Sequence, residues 1–132
     1  MTAILVQALT RWSPFESLVW EDLTRPITKK EVQLAVSHGI FCAMPISKAS
    51  RYLHVQRVAY LVVHGWRDAI DLDVGVPFMG CYVDWIIQDG NHRLAAAIFR
   101  NDLYIEALVG GQLSYAAELL GVSEDSLLGE EA

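Results

Sequence analysis

Asp89-Gly90-Asn91-His92-Arg93 is the one dense cluster of reactive side chains in the 132-residue chain, and it stands where a strand-like run gives way to a helix-like one. A helix N-terminus presents unpaired amides and about half a positive charge, so this position favours an anion, and a glycine just ahead of it lets a ligand approach the backbone. Arg93 adds a fork of donors that matches the oxygens of a phosphate or carboxylate, and His92 adds a donor or base that titrates near neutral pH. Gly90, Asn91, His92 and Arg93 are therefore the candidate phosphate-binding residues. Asp89 and His92 are the candidate catalytic pair, Asp89 to position a metal ion or accept a proton and His92 to stabilise charge on phosphoryl oxygens. The same spacing also fits a plain helix start, in which Asp89 and Asn91 cap the helix and His92 and Arg93 lie on the surface.

Two elements must place that cluster. Tyr82 to Gln88 reads as a strand running into it, with Val83, Trp85 and Ile87 opposed to Asp84, Ile86 and Gln88, and Leu94 to Asn101 as an Ala-rich helix leaving it. Ala69 to Val76 alternates as a further strand, placing Asp71 and Asp73 on one side. If the two strands are neighbours, Asp71, Asp73, Asp84 and Asp89 converge into an oxygen-rich site suited to Mg²⁺; solvated carboxylates on an open sheet face explain the same spacing.

Elsewhere, Thr28-Lys29-Lys30-Glu31 has the form of a capping box and predicts a helix from Lys29 to His38 stopped by Gly39. A second helix is predicted from Ser50 to His64, with Val55, Val58, Ala59 and Val62 recurring at helical spacing and Gly65 as its stop. Arg57 and His64 share a different face of that helix, which makes Arg57 a candidate second phosphate contact; a surface arginine and a packed histidine account for the same spacing. Arg100, two turns beyond Arg93, suits a second charged group or an ion pair. Ala3 to Leu9 and Leu103 to Val109 read as short strands, and Ser114 as the N-cap of a last helix ending at Gly121. The stretch holding Trp12, Phe15 and Trp20 has no assignable period, and its tryptophans read as core and rim packing.

With 53% apolar and 20% charged residues, the composition predicts one domain over residues 1–132 in which strands and helices intermix. No leader pattern and no apolar run of the roughly 20 residues that span a bilayer is present, so a cytoplasmic protein with no membrane partner is expected. Cys42 and Cys81 have no metal-binding spacing and are expected to be small buried residues. The net charge of −6 disfavours DNA as a partner. Its excess lies from Asp102 onward, where seven acids stand without a Lys, Arg or His, leaving the first 101 residues at a net of +1. Tyr115 to Ser123 resembles the first helix and turn of a helix-turn-helix, but the segment 122–132 that follows is acidic, where base reading needs Arg, Lys, Gln or Asn. No Ser/His/Asp order, P-loop, H-E-x-x-H or dinucleotide glycine motif is present.

Ile87-Gln88-Asp89-Gly90-Asn91-His92-Arg93-Leu94-Ala95-Ala96-Ala97 resembles the signature of the ParB/sulfiredoxin superfamily, which includes the ParB-like nuclease domain. The resemblance is close over about a dozen residues and loose over residues 50–109. It implies an α+β, ParB/sulfiredoxin-like single domain with a small mixed sheet flanked by helices. It also implies that Gly90, Asn91, His92 and Arg93 hold the phosphates of a nucleotide, ATP or CTP with Mg²⁺, for hydrolysis or phosphoryl transfer. Sulfiredoxins carry their attacking cysteine where Asn91 stands, so sulfinic-acid reduction is not expected. Partition ParB proteins add a helix-turn-helix domain and a dimerisation segment after the nucleotide-binding domain, whereas about 30 residues follow the motif helix here. The alternatives are a nuclease with a basic groove of Arg51, Arg57, Arg93 and Arg100, and a non-enzymatic regulatory module of plasmid or phage origin.

Overall fold

The structure is a computed structural model that describes residues 1–46 and 48–128. It is an α+β protein with helices and one four-stranded mixed sheet. The chain gathers into two compact units: one from residues 1–12, 68–90 and 102 onward, the other from residues 13–67 and 91–101.

The first unit holds the sheet, in the order β1 (Thr2–Leu5), β4 (Tyr104–Gly110), β2 (Ile70–Asp73), β3 (Ile87–Asp89). β1 and β4 are antiparallel, as are β2 and β3, while β2 and β4 run parallel. Alternation builds its buried face, since Ile4, Ile70, Leu72, Ile105 and Ala107 are all sealed from solvent. The strand predicted over Ala3–Leu9 stops at Leu5, opposite Tyr104 at the start of β4, and one more bond, from the Val6 N–H to the Leu103 carbonyl at 3.0 Å, follows before the chain winds into a helical turn. Val6–Trp12 continues as 3-10 helix. The strand predicted over Tyr82–Gln88 shrinks to Ile87–Asp89; consecutive Ile86 and Ile87 are both buried, which an alternating strand does not permit. Gln112, not Ser114, occupies the N-cap of α4 (Leu113–Leu120), and Gly121 ends that helix in the left-handed region as expected. A short α5 (Glu124–Leu128) follows and buries Leu127, while residues 129–132 of the acidic end lie outside the described residues.

The second unit is helical. α1 (Lys29–His38) starts on the predicted capping box: the Glu31 N–H donates to the Thr28 hydroxyl at 3.1 Å and the Thr28 N–H to the Glu31 carboxylate at 3.0 Å. α2 spans Arg51–His64 and α3 spans Asn91–Arg100. Trp20, Leu23 and Ile27 from the segment before α1, Val32 and Ala35 of α1, Val55, Val58, Ala59 and Leu61 of α2, and Ala95 and Ala96 of α3 form one apolar core. The alanines remove side-chain bulk where α3 meets α2, which lets the two axes approach closely.

Glu31 also locks α1 to α2. Arg51 donates to both of its carboxylate oxygens, at 2.7 and 2.5 Å, and to the carbonyls of Arg25 and Pro26 at 3.0 and 2.7 Å. These bonds, that of Arg51 first, hold the Glu31 carboxyl down to about 2. A carboxyl depressed on folding contributes stability above its unfolded value and loses it as pH falls through the folded one. Stability should therefore drop between about pH 4.5 and 2, and Glu31→Gln should remove that step at a cost of about 1–2 kcal/mol near neutral pH, the partial exposure of the pair reducing the effect. Denaturant titrations of both proteins across that range check it.

Both cysteines are free, and neither is buried as expected: Cys42 is half-buried and Cys81 exposed. Cys81 follows the left-handed turn at Gly80 and pairs with Val76 through its backbone, which leaves its side chain outside the core. Among the described residues no helix is long and apolar enough to cross a membrane.

Candidate functional site

The motif opens a helix earlier than its residue pattern suggests. α3 begins at Asn91 rather than Leu94, so Asn91, His92 and Arg93 form its first turn, while Asp89 is the last residue of β3. Gly90 alone makes the turn, buried and with φ at +120°. A Cβ at Gly90 would lie 2.3 Å from Cγ2 and 2.6 Å from Cβ of Ile70. The glycine is thus required by its packing against β2.

His92 sits in a hydrogen-bonded chain that its neighbours in sequence do not reveal. Its Nε2 lies 2.9 Å from Nδ1 of His54, a fully buried residue of α2, and Nε2 of His54 lies 3.1 and 3.2 Å from the two carboxylate oxygens of Asp22. The Trp20 ring stacks on both imidazoles, its centroid 4.5 Å from that of His54 and 4.6 Å from that of His92. Asp22 is in turn anchored by the Ala49 N–H at 2.6 Å. That bond, helped by His54, holds the Asp22 carboxyl below its usual range, so it is a carboxylate at neutral pH. Burial pushes His92 down to about 3, and the charges of Arg57 and Arg93 push the same way against Asp22. At neutral pH His92 is therefore an uncharged imidazole facing two arginines.

The helical unit is strongly basic. Counted on the sequence it carries nine Lys and Arg against four acids, a net of +5, together with all four histidines, whereas the sheet unit carries Arg11 against twelve acids, a net of −11. Division of the chain at residue 101 hides this contrast, because the helical unit is assembled from two separated stretches.

Of the predicted residues, Arg57 and Arg93 both lie near enough to His92 for their charges to act on its imidazole. Arg57 also donates to the Ala43 carbonyl at 2.8 Å and lies 5.5 Å from the Tyr60 ring centroid. His64 packs against Tyr60 and Phe41, at 4.4 and 5.6 Å between ring centroids, so the packed-histidine account fits it. Arg100 covers the Trp66 ring at 4.8 Å. Arg51 is committed to Glu31, which takes it out of the basic groove expected of four arginines.

The carboxylates divide. β2 and β3 are neighbours, and Asp71 stands opposite Asp89 in their ladder. Asp73 accepts from the Gly75 N–H at 2.9 Å and shapes a turn. Asp84 lies outside the strands, where its carbonyl accepts from the Trp12 indole at 3.1 Å. Among the described residues no three His, Cys, Asp or Glu side chains gather within reach of one metal ion.

Asp22, His54 and Trp20 are the site residues that sequence reasoning does not reach. A signal exists for His54, which shares with Val58 and Leu61 the buried face of α2 at helical spacing; a histidine there demands a polar partner. Asp22 and Trp20 lie in an irregular segment where no period points to them. Compared with protein-family models, curated proteins and solved structures, the chain has no match.

Proposed function

We propose that the helical unit binds a phosphorylated ligand, with ATP or CTP as the first candidates, at the first turn of α3. The observation that carries this reading is that Asn91, His92 and Arg93 form the first turn of a ten-residue helix within a unit of net charge +5. Phosphate oxygens suit this donor set: backbone amides and the helix dipole favour the anion, Arg93 offers a bidentate fork, and Asn91 and His92 add neutral polar groups. The resemblance of residues 87–97 to the ParB/sulfiredoxin signature favours a nucleotide among phosphorylated ligands. Mg²⁺ would arrive with the nucleotide, since Mg²⁺ is commonly held by phosphates, waters and one or two carboxylates rather than by a full protein cage. In this reading Asn91, His92 and Arg93 orient and neutralise the phosphate, and hydrolysis or transfer to an acceptor is the class of reaction they serve.

Thermal unfolding with ATP, CTP and inorganic phosphate, each with and without Mg²⁺, tests the reading. A ligand at 100 times its dissociation constant stabilises the folded state by about 2.7 kcal/mol, which for a chain of this size raises Tm by roughly 10 °C. A shift with one of the three supports the proposal; unchanged unfolding with all three at millimolar concentration contradicts it.

A further inference from the structure

We propose that Asp22, His54 and His92 form a two-imidazole proton relay whose outlet is Nδ1 of His92. The relay follows from hydrogen-bond direction. Asp22 is a carboxylate and can only accept, so His54 must carry its proton on Nε2. When His54 is neutral its Nδ1 is bare and accepts from Nε2–H of His92, which fixes His92 as the Nε2–H tautomer with a bare Nδ1. When His54 is protonated, its Nδ1–H donates instead, and His92, still neutral, must carry its proton on Nδ1. One proton at His54 therefore converts the other ring nitrogen of His92, Nδ1, from acceptor to donor.

This arrangement resolves how a histidine so reluctant to charge can serve as a base. A proton taken up by Nδ1 of His92 from a hydroxyl is matched by transfer of the Nε2 proton of His92 to Nδ1 of His54. Each imidazole gains or exchanges one N–H bond and the hydroxyl loses its O–H bond. The positive charge comes to rest on His54 beside Asp22 rather than on His92, which faces Arg57 and Arg93. Trp20 stacks on both rings and holds them 5.2 Å apart and within 15° of parallel. The charged and titratable groups facing the pair are Asp22 from the segment before α1, Arg57 from α2 and Arg93 from α3; the Glu31 carboxylate of α1 is engaged with Arg51 and Thr28. Asp22 and His54 are thus positioning residues, and His92 is the group presented to a substrate. That last step rests on the proposed ligand site, while the relay itself does not.

The test uses the full chain labelled with ¹⁵N-histidine, free of ligand, followed by long-range ¹H–¹⁵N correlation from about pH 8 to about pH 5, the range in which histidine ordinarily titrates. The expected result is that the two imidazoles change together: His92 passes from the Nε2–H to the Nδ1–H tautomer, uncharged in both, as His54 gains its second N–H. Asp22→Asn keeps an acceptor for His54 but removes the charge, and should favour the state in which His54 is neutral and His92 carries its proton on Nε2. The relay is overturned if His92 holds one tautomer while His54 titrates, if His92 itself becomes imidazolium in that range, or if His54 stays neutral throughout. Should Asp22→Asn fail to fold, the wild-type titration alone decides. Failure of every nucleotide to bind would leave this result intact, so the two proposals fall separately.

Discussion

Gly90→Ala is expected to destabilise the protein by about 3–5 kcal/mol, a large share of the 5–15 kcal/mol that holds a typical domain together. Two costs combine. An L-residue at φ +120° is strained by about 1–3 kcal/mol, and the new Cβ, 2.3 Å from Ile70 Cγ2, overpacks a buried strand by about 1–3 kcal/mol. Ile70 cannot yield cheaply, because it is sealed from solvent and its backbone pairs with Ala107 of β4. Gly39→Ala separates the two costs: φ there is +64° but nothing lies within 4 Å of the added carbon, so about 1–2 kcal/mol is expected. Denaturant midpoints of the two variants check both values. A Gly90→Ala protein as stable as wild type would mean that Ile70 is not where the packing places it.

Arg93→Ala should weaken binding of the phosphorylated ligand by about 10- to 100-fold. A hydrogen bond to a charged group contributes about 1.5–3 kcal/mol, and Arg93 brings both the charge and the fork that fits two phosphate oxygens. Arg93→Lys keeps the charge and loses the fork, so an intermediate loss is expected. Calorimetric titration with the nucleotide that stabilises the wild type measures all three affinities. Equal affinity of wild type and Arg93→Ala would place the ligand elsewhere.

What the sequence discloses is local. The capping box at Thr28 and Glu31, the stops at Gly39 and Gly65 and the span of α2 are written in short patterns, and the structure has them where the patterns put them. Strand limits are not local: β1 ends opposite the first residue of β4, and β3 is cut short where two adjacent isoleucines are buried together. The phosphate motif is visible as a run of five residues, yet its setting comes from side chains far away in sequence, with Asp22 and His54 separated by 32 positions and His54 and His92 by 38. Charge is no more local, since a nearly neutral first 101 residues conceal a basic helical unit assembled from two separated stretches. Gly90 shows the same limit from the other side, because its need for an absent Cβ is set by Ile70, 20 residues earlier.

Backbone amide spectra of the full chain during titration with ATP and with CTP, in the presence of Mg²⁺, test the central claim most directly. The account predicts that the amides of Asn91, His92 and Arg93 and the indole N–H of Trp20 shift together and saturate with one dissociation constant for at least one nucleotide. Saturable shifts confined to other residues, or none up to millimolar nucleotide, would contradict it.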